Sequence, residues 1–375
     1  MQRFGLVFNP LRMACTLVFL MLGNAQAASE NSFKDPLDTP ATKIGGVLKL
    51  EQQPILALAT VKGRVIGVGL RGLIVVSDNG GLTWRQVPVP VQSDLTAVTF
   101  PTDRHGWAVG HDGIILTTGD AGETWTKQFD GKMATTVLPE YYQKRVEAGD
   151  ASMQSYLEQT RRNVKIPAAL PYLSVYFENE HTGYVVGSFG MILITQDGGK
   201  TWEPWLHHVD NDRFFNLNDI RQIGSTLYMV GERGIIWKLD KTKQRFNSVT
   251  TGYRGSFFAI AGNGDRLLAV GLGGTAFRSA DGGATATWQS VNIGTHALTA
   301  ITNTHDGLLP LIASQNGELF IGDADWQTFR SLPVDQPIQL TSSVIAVGDD
   351  RIIMAGYDGI RVQVVKPVPA TIKEK

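Results

Sequence analysis

The stretch LTAVTFPTDRHGWAVGHDGIILTTGDAGETW, Leu95 to Trp125, decides the fold. Read as DLTAVTF, GWAVG, GIILTT and TWTKQFD, it consists of short apolar runs that alternate with polar residues and are broken by Gly and Asp. That is a strand pattern of period two, and it gives four antiparallel strands. The unit then recurs. An apolar strand, Gly-x-x-Gly and a second apolar strand appear as VGLRGLIVV, VGHDGIILT, VGSFGMILI, VGERGIIWK, VGLGGTAFR, IASQNGELF and AGYDGIRVQ. Measured at the second glycine (Gly72, Gly113, Gly190, Gly234, Gly274, Gly317 and Gly359), the steps are 41, 77, 44, 40, 43 and 42 residues. A period near 40 to 45 is the blade length of a propeller.

Seven such units imply an all-β fold, a seven-bladed β-propeller spanning residues 55–375. The step of 77 marks an insertion between blades two and three, within residues 131–169. Its sequence, LPEYYQKRVEAGDASMQSYLEQTRRNVKIPAALP, holds helix formers without β-branched runs. Pro139 is expected to open one helix and Asp150, after Gly149, to cap another. Tyr142, Val146, Met153, Tyr156 and Leu157 form one apolar stripe at helical spacing, suited to packing on the propeller or to gripping a partner. The seventh unit supplies only three strands. The N-terminal segment 28–54, around ATKIGGVLKL (Ala41–Leu50), is therefore expected to add a closing outer strand, because an open ring leaves unpaired edges.

Bulk properties narrow the function. Residues 1–27 read as an export signal, with Arg3 and Arg12, the apolar run ACTLVFLML and the small-residue end Ala25-Gln26-Ala27. The one cysteine, Cys15, lies inside it, near the start of the apolar run and not at its end, which argues against lipid attachment there. The remaining chain would have no disulfide and no cysteine metal site. Taking Arg3 and Arg12 from the 34 Lys and Arg leaves 32 against 35 Asp and Glu, so there is no basic excess of the nucleic-acid-binding kind. His207 and His208 are adjacent, and as strand neighbours they would point to opposite faces. With no metal-binding motif in the chain, neither a metal nor a cofactor is expected.

A second repeat accompanies the first: SDNGGLTW (Ser77–Trp84), TGDAGETW (Thr118–Trp125), TQDGGKTW (Thr195–Trp202) and the stretched SADGGATATW (Ser279–Trp288). These octets resemble the BNR or Asp-box repeat. The resemblance implies that the polar residue (Asn79, Asp120, Asp197, Asp281) accepts N–H bonds inside a hairpin while the tryptophan (Trp84, Trp125, Trp202, Trp288) packs between blades. Asn79 in place of Asp argues that the position ties a turn and moves no proton. Blades four and six keep only Asp240 and Asp323. Sialidases share the Asp-box, but no Arg-Ile-Pro occurs here and seven units exceed their usual six. A sialidase-like, glycan-active or glycan-binding protein is the alternative reading.

The whole cadence, as in LSVYFENEHTGYVVGSFGMILITQDGGKTW, is similar to the photosystem II stability/assembly factor family. That resemblance implies an exported, non-catalytic scaffold that binds periplasmic or lumenal parts of a membrane protein complex, with no enzymatic activity. An accessory protein of a membrane transporter is a further alternative. Candidate partner-binding residues are Arg71, His111, Phe189, Arg233 and Tyr357 in the Gly-x-x-Gly turns, expected to converge near the central channel, with Tyr142 and Tyr156 in the insertion. Arg and Tyr are the residues on which binding hot spots draw. The protein is expected to be a monomer.

Overall fold

The computed structural model describes residues 34–45, 49–166, 170–284 and 288–365, and the export-signal reading falls outside them. The chain divides into Met1–Asp35 and a second unit, Pro36–Lys375, to which all that follows belongs. Seven sheets follow one another in the second unit, six of four strands and the last of three. In each, successive strands pair antiparallel in chain order. The first strands are Ile55–Val61, Leu95–Thr99, Tyr172–Phe177, Leu217–Ile223, Phe257–Asn263, Leu298–Asn303 and Thr341–Val347. Each neighbours the first strand of the next sheet, and the seventh returns to the first. They surround a channel of about 190 Å³. This is the expected seven-bladed propeller.

Every first strand carries one extra residue at its second position: Leu56, Thr96, Leu173, Asn218, Phe258, Thr299 and Ser342. Such a bulge re-aims a side chain and strengthens local twist. Here it turns the residue into the channel, where four of the seven tie one blade to the next. Thr96 Oγ1 donates to Tyr172 O at 2.6 Å, Asn218 Nδ2 to Phe257 O at 2.6 Å, Thr299 Oγ1 to Thr341 O at 2.6 Å and Ser342 Oγ to Ile55 O at 3.4 Å. The following residue acts similarly where it is polar. Buried Asp219 accepts from Ser174 Oγ of blade three at 2.9 Å and from the N–H of Ile260 of blade five at 3.2 Å, joining three blades.

Apolar burial lies between the blades. One cluster joins Ile55, Leu58 and Val75 of blade one to Ile353, Ala355 and Ile360 of blade seven, and others fill the remaining interfaces. Ring closure rests on this cluster and on Leu58 N–H donating to Ser343 Oγ at 3.1 Å. The expected closing strand from Ala41 to Leu50 does not form among the described residues. Ala41 N–H bonds Val89 O and Ile44 N–H bonds Gln86 Oε1, both in blade one, so the segment follows blade one's outer edge. Residues 46–48 lie outside the described residues, and Leu50–Gln52 forms a short 3-10 turn against the last strand of blade seven.

The Asp-box turns are built as their chemistry requires. In blade two, Asp120 Oδ1 accepts from Thr124 N–H at 2.9 Å and Oδ2 from Thr124 Oγ1 at 2.6 Å, while Thr118 Oγ1 accepts from Gly122 N–H at 3.1 Å. Asp197 repeats this with Thr195, Gly199 and Thr201, Asp281 with Ser279 and Gly283, and Asn79 substitutes its amide oxygen. Partial burial opposes ionisation of Asp120 and Asp197, but these hydrogen bonds outweigh it and hold both carboxyls below the usual range. Even the reduced sixth turn keeps Asp323 bonded to the N–H groups of Gln327 and Thr328.

Each turn is also held by the preceding blade. Arg351 of blade seven donates to the carbonyls of Asn79 and Gly80, Arg64 to Ala121, Gln128 to Gly198, Lys238 and Tyr228 to Gly282, and Arg266 to Ala324. Trp125 and Trp202, at 5 and 3 % exposure, pack into the clusters at those interfaces. Asp120→Ala or Asp197→Ala is therefore expected to destabilise the protein by about 1–2 kcal/mol in urea denaturation, whereas Asn79→Asp stays within about 0.5 kcal/mol of the parent.

Candidate functional site

Antiparallel order sends the Asp-box hairpins to one face of the ring, here called lower. The Gly-x-x-Gly turns and the connections to each next blade lie on the other, the upper face. The first five turns are single 3-10 turns, Leu70–Gly72, His111–Gly113, Ser188–Gly190, Glu232–Gly234 and Leu272–Gly274. Both glycines are needed sterically. A Cβ on Gly69 would lie 2.0 Å from Pro54 O, and one on Gly72, at φ +71°, 2.0 Å from Val91 O. Between them the third residue adopts the left-handed conformation: Arg71 (φ 54°), Asp112 (57°), Phe189 (58°), Arg233 (60°) and Gly273 (64°). The N–H of Arg71 donates to Asp94 Oδ1 at 2.8 Å and that of Phe189 to Asn216 Oδ1 at 2.7 Å, which pins each turn to the next blade.

Arg71, Phe189 and Arg233 thus occupy one equivalent position, His111 stands one residue earlier in its turn, and Tyr357 lies in the turn of blade seven. All five are exposed on the upper face. They are spread over blades one, two, three, four and seven, and among the described residues no hydrogen bond, ion pair or ring contact joins any two. They line one rim and do not form a contact cluster.

What the structure does assemble is a patch above blades three and four. The insertion folds into α1, Gly131–Glu147, and α2, Gln154–Val164. Asp130 caps α1, accepting from Met133 N–H at 3.0 Å. Pro139 sits inside α1 and does not open it, and Asp150 precedes a 3-10 turn, Ala151–Met153, that leads into α2. Tyr142 is fully buried, so it anchors the hairpin and has no surface to offer a partner. Its hydroxyl meets His207 Nδ1 at 3.1 Å, and Arg145 Nη1 donates to His207 Nε2 at 2.7 Å. Because arginine can only donate, Nε2 accepts and the imidazole carries its proton on Nδ1. Burial, then the neighbouring His208 and Arg145, push the His207 pKa down to about 3. His207 and His208 lie on a 3-10 turn, Leu206–His208, with ring centroids 4.2 Å apart; the opposite-face reading assumed a strand that is absent.

Half-buried Tyr156 stands with its ring 6.2 Å from Phe214, and Asn163 Nδ2 reaches Phe189 O at 3.3 Å. Exposed Arg213 lies over the Phe215 ring at 5.1 Å. Tyr156, Phe189, Arg213 and Phe215 thus form a basic and aromatic surface. Arg213, Phe214 and Phe215 belong to the connection between blades three and four. The sequence reading passed over them because they follow neither repeat, although the unusual NDRFFN run between two units was a visible signal.

A depressed histidine pKa stabilises the fold above the unfolded value of about 6.5 and is lost as pH falls toward about 3. The parent protein should therefore lose roughly 2 kcal/mol between pH 6.5 and 4 in urea denaturation, a figure discounted for partial solvent exposure. His207→Gln should flatten that slope.

A family model described as photosynthesis system II assembly factor YCF48 matches residues 73–146 and 153–307. The chain is 47% identical over 47 residues to the chloroplastic photosystem II stability/assembly factor HCF136 of Cyanidioschyzon merolae, covering 12% of this chain and 11% of that protein. It is 26% identical over 174 residues to the photosystem II assembly lipoprotein Ycf48 of Picosynechococcus sp., covering 43% and 49%. These matches span at most about half the length of such curated relatives. The solved structure titled YCF48 bound to D1 peptide superposes with a TM-score of 0.61 at 17% identity, covering 88% of this chain and 99% of that one. YCF48 from Cyanidioschyzon merolae gives 0.60 at 16%, covering 84% and 96%. With a family model matching more than half of its residues, and seven blades in the expected order, the chain belongs to the Ycf48 family of photosystem II assembly factors.

Proposed function

We propose that this protein is an exported, non-catalytic assembly factor that binds a periplasmic or lumenal segment of a membrane protein complex through the upper face of the propeller. The observation that carries the reading is the set of exposed cationic and aromatic side chains there: Arg71, Phe189 and Arg233 on left-handed turns, with Arg213 in the connection between blades three and four. A left-handed turn fixed by two sterically required glycines and, at Arg71 and Phe189, by an N–H bonded to the next blade loses little backbone entropy on binding, which favours recognition. Guanidinium groups suit the carboxylates of an acidic or C-terminal peptide segment. The solved structure titled YCF48 bound to D1 peptide supports a peptide client of this kind. The Asp-box carboxylates are engaged inside their own turns, which disfavours an acid–base role for them.

Arg71→Glu combined with Arg233→Glu alters only exposed groups and should leave the melting temperature within about 2 °C. It should reduce recovery of membrane complexes crosslinked to the tagged full-length chain at least fivefold. Undiminished recovery would remove the upper rim from the interface. Turnover of a fluorogenic sialoside by the purified protein would contradict the non-catalytic reading.

A further inference from the structure

Each complete Asp-box turn rests on a defined place in the preceding blade: the residue three positions before the first glycine of that blade's upper turn, or a side chain bonded to it. A Cβ placed on Gly122 would meet Ile66 at 2.9 Å, and one on Gly81 would meet Ile353 at 2.7 Å. Trp107 Nε1 holds Gln128, which donates in turn to Gly198 O at 2.8 Å. In blade four this residue is Tyr228, whose hydroxyl donates to Gly282 O of the fifth blade's turn at 2.9 Å. Tyr184 is its counterpart in blade three, standing before Gly187 as Tyr228 stands before Gly231.

No turn arrives to meet Tyr184. The outer hairpin of blade four closes tightly, with Asp240 paired to Arg245, and omits the Asp-box. In the place of that turn is a cleft of about 490 Å³, lined by Tyr184, Trp205, Glu178, Glu203, Leu239 and Lys241 among others. Tyr184 is only 7 % exposed, and its hydroxyl finds no partner among the described residues. The Tyr184 side chain lines the cleft, and a donor without a protein partner there leaves a place for an incoming acceptor of the kind that Gly282 offers Tyr228. Lys241 Nζ lies 3.7 Å from Glu178, and Glu203 adds a further carboxylate, so the lining is acidic on balance.

We propose that this lower-face cleft is a docking slot for a glycine-containing turn of a partner polypeptide with a basic residue beside the turn. A backbone carbonyl of the turn accepts from the Tyr184 hydroxyl, as Gly282 does from Tyr228, and the basic side chain meets Glu203 and Glu178. The slot is separate from the upper rim and does not depend on it.

The probe is a backbone-cyclised peptide of the fifth blade's own turn, RSADGGA (Arg278–Ala284), titrated into the full chain, with a control in which both glycines are valine. Saturable binding of the probe alone is expected. Affinity should fall about three- to tenfold with Tyr184→Phe and with Glu203→Gln, the loss of one hydrogen bond or ion pair. Tyr184→Phe should leave the melting temperature unchanged because its hydroxyl has no hydrogen bond among the described residues, whereas Tyr228→Phe should lower it by a few degrees. A chain whose fourth hairpin is lengthened with the octet TQDGGKTW should fill its own slot and lose the probe. Absence of saturable binding, equal binding of the valine control, or affinity insensitive to Tyr184→Phe would overturn the proposal. So would dimers seen by light scattering that vanish in the lengthened chain, since a second copy would then be the occupant. Probe binding that appears only after truncation at Val365 would likewise assign the slot to the chain's own C-terminal segment.

Discussion

The grip of one blade on the next blade's Asp-box turn is the interaction on which the ring depends. A four-stranded sheet of this size cannot bury both faces alone, so each blade must find its neighbour at a fixed angle. The turn supplies that angle twice over. Inside it, a carboxylate or amide oxygen collects N–H groups and makes the hairpin rigid; outside it, carbonyls point at Arg351, Arg64, Gln128 or Lys238 of the blade before. The link from Arg351 to Asn79 and Gly80 is also the link between the last blade and the first, so the contact that spaces the blades helps to close the ring.

Closure without an added fourth strand among the described residues follows from the same economy. The first and seventh blades share an apolar cluster, a serine bonded to a backbone N–H across the seam and the Arg351 clasp. With faces and turns joined, the outer edge of blade seven is not required for continuity. The segment after Pro36 runs along blade one, where Gln86 and Val89 bond its backbone.

The two faces carry different chemistry because the antiparallel blade sends alternate connections to opposite sides. Asp-boxes consume the polar groups of the lower face in blades one, two, three and five; blade six keeps a reduced turn, blade seven has three strands among the described residues, and in blade four the box is lost and a cleft remains. The upper face is built on glycine-pinned turns whose third residue is left-handed. Arg, Asp, Phe and Gly all occupy it, so that position accepts side chains of different chemistry as long as they are not β-branched. The helical hairpin, locked by Tyr142, His207 and Arg145, adds relief to this face above blades three and four.

Repeats made most of this legible in the primary structure. Period, blade number, the place of the insertion and the structural role of Asn79, Asp120, Asp197 and Asp281 follow from local rules of hydrogen bonding and turn geometry that hold wherever the octet occurs. The failures share a different cause. Whether Ala41–Leu50 pairs with blade seven or follows blade one, whether Tyr142 faces a partner or the core, and whether five turn residues meet or merely share a rim are all questions of what stands opposite. Local sequence determined which turns form and how far apart they recur; only the tertiary structure decided what each turn touches, because burial and hydrogen-bond satisfaction are settled by neighbours distant in the chain.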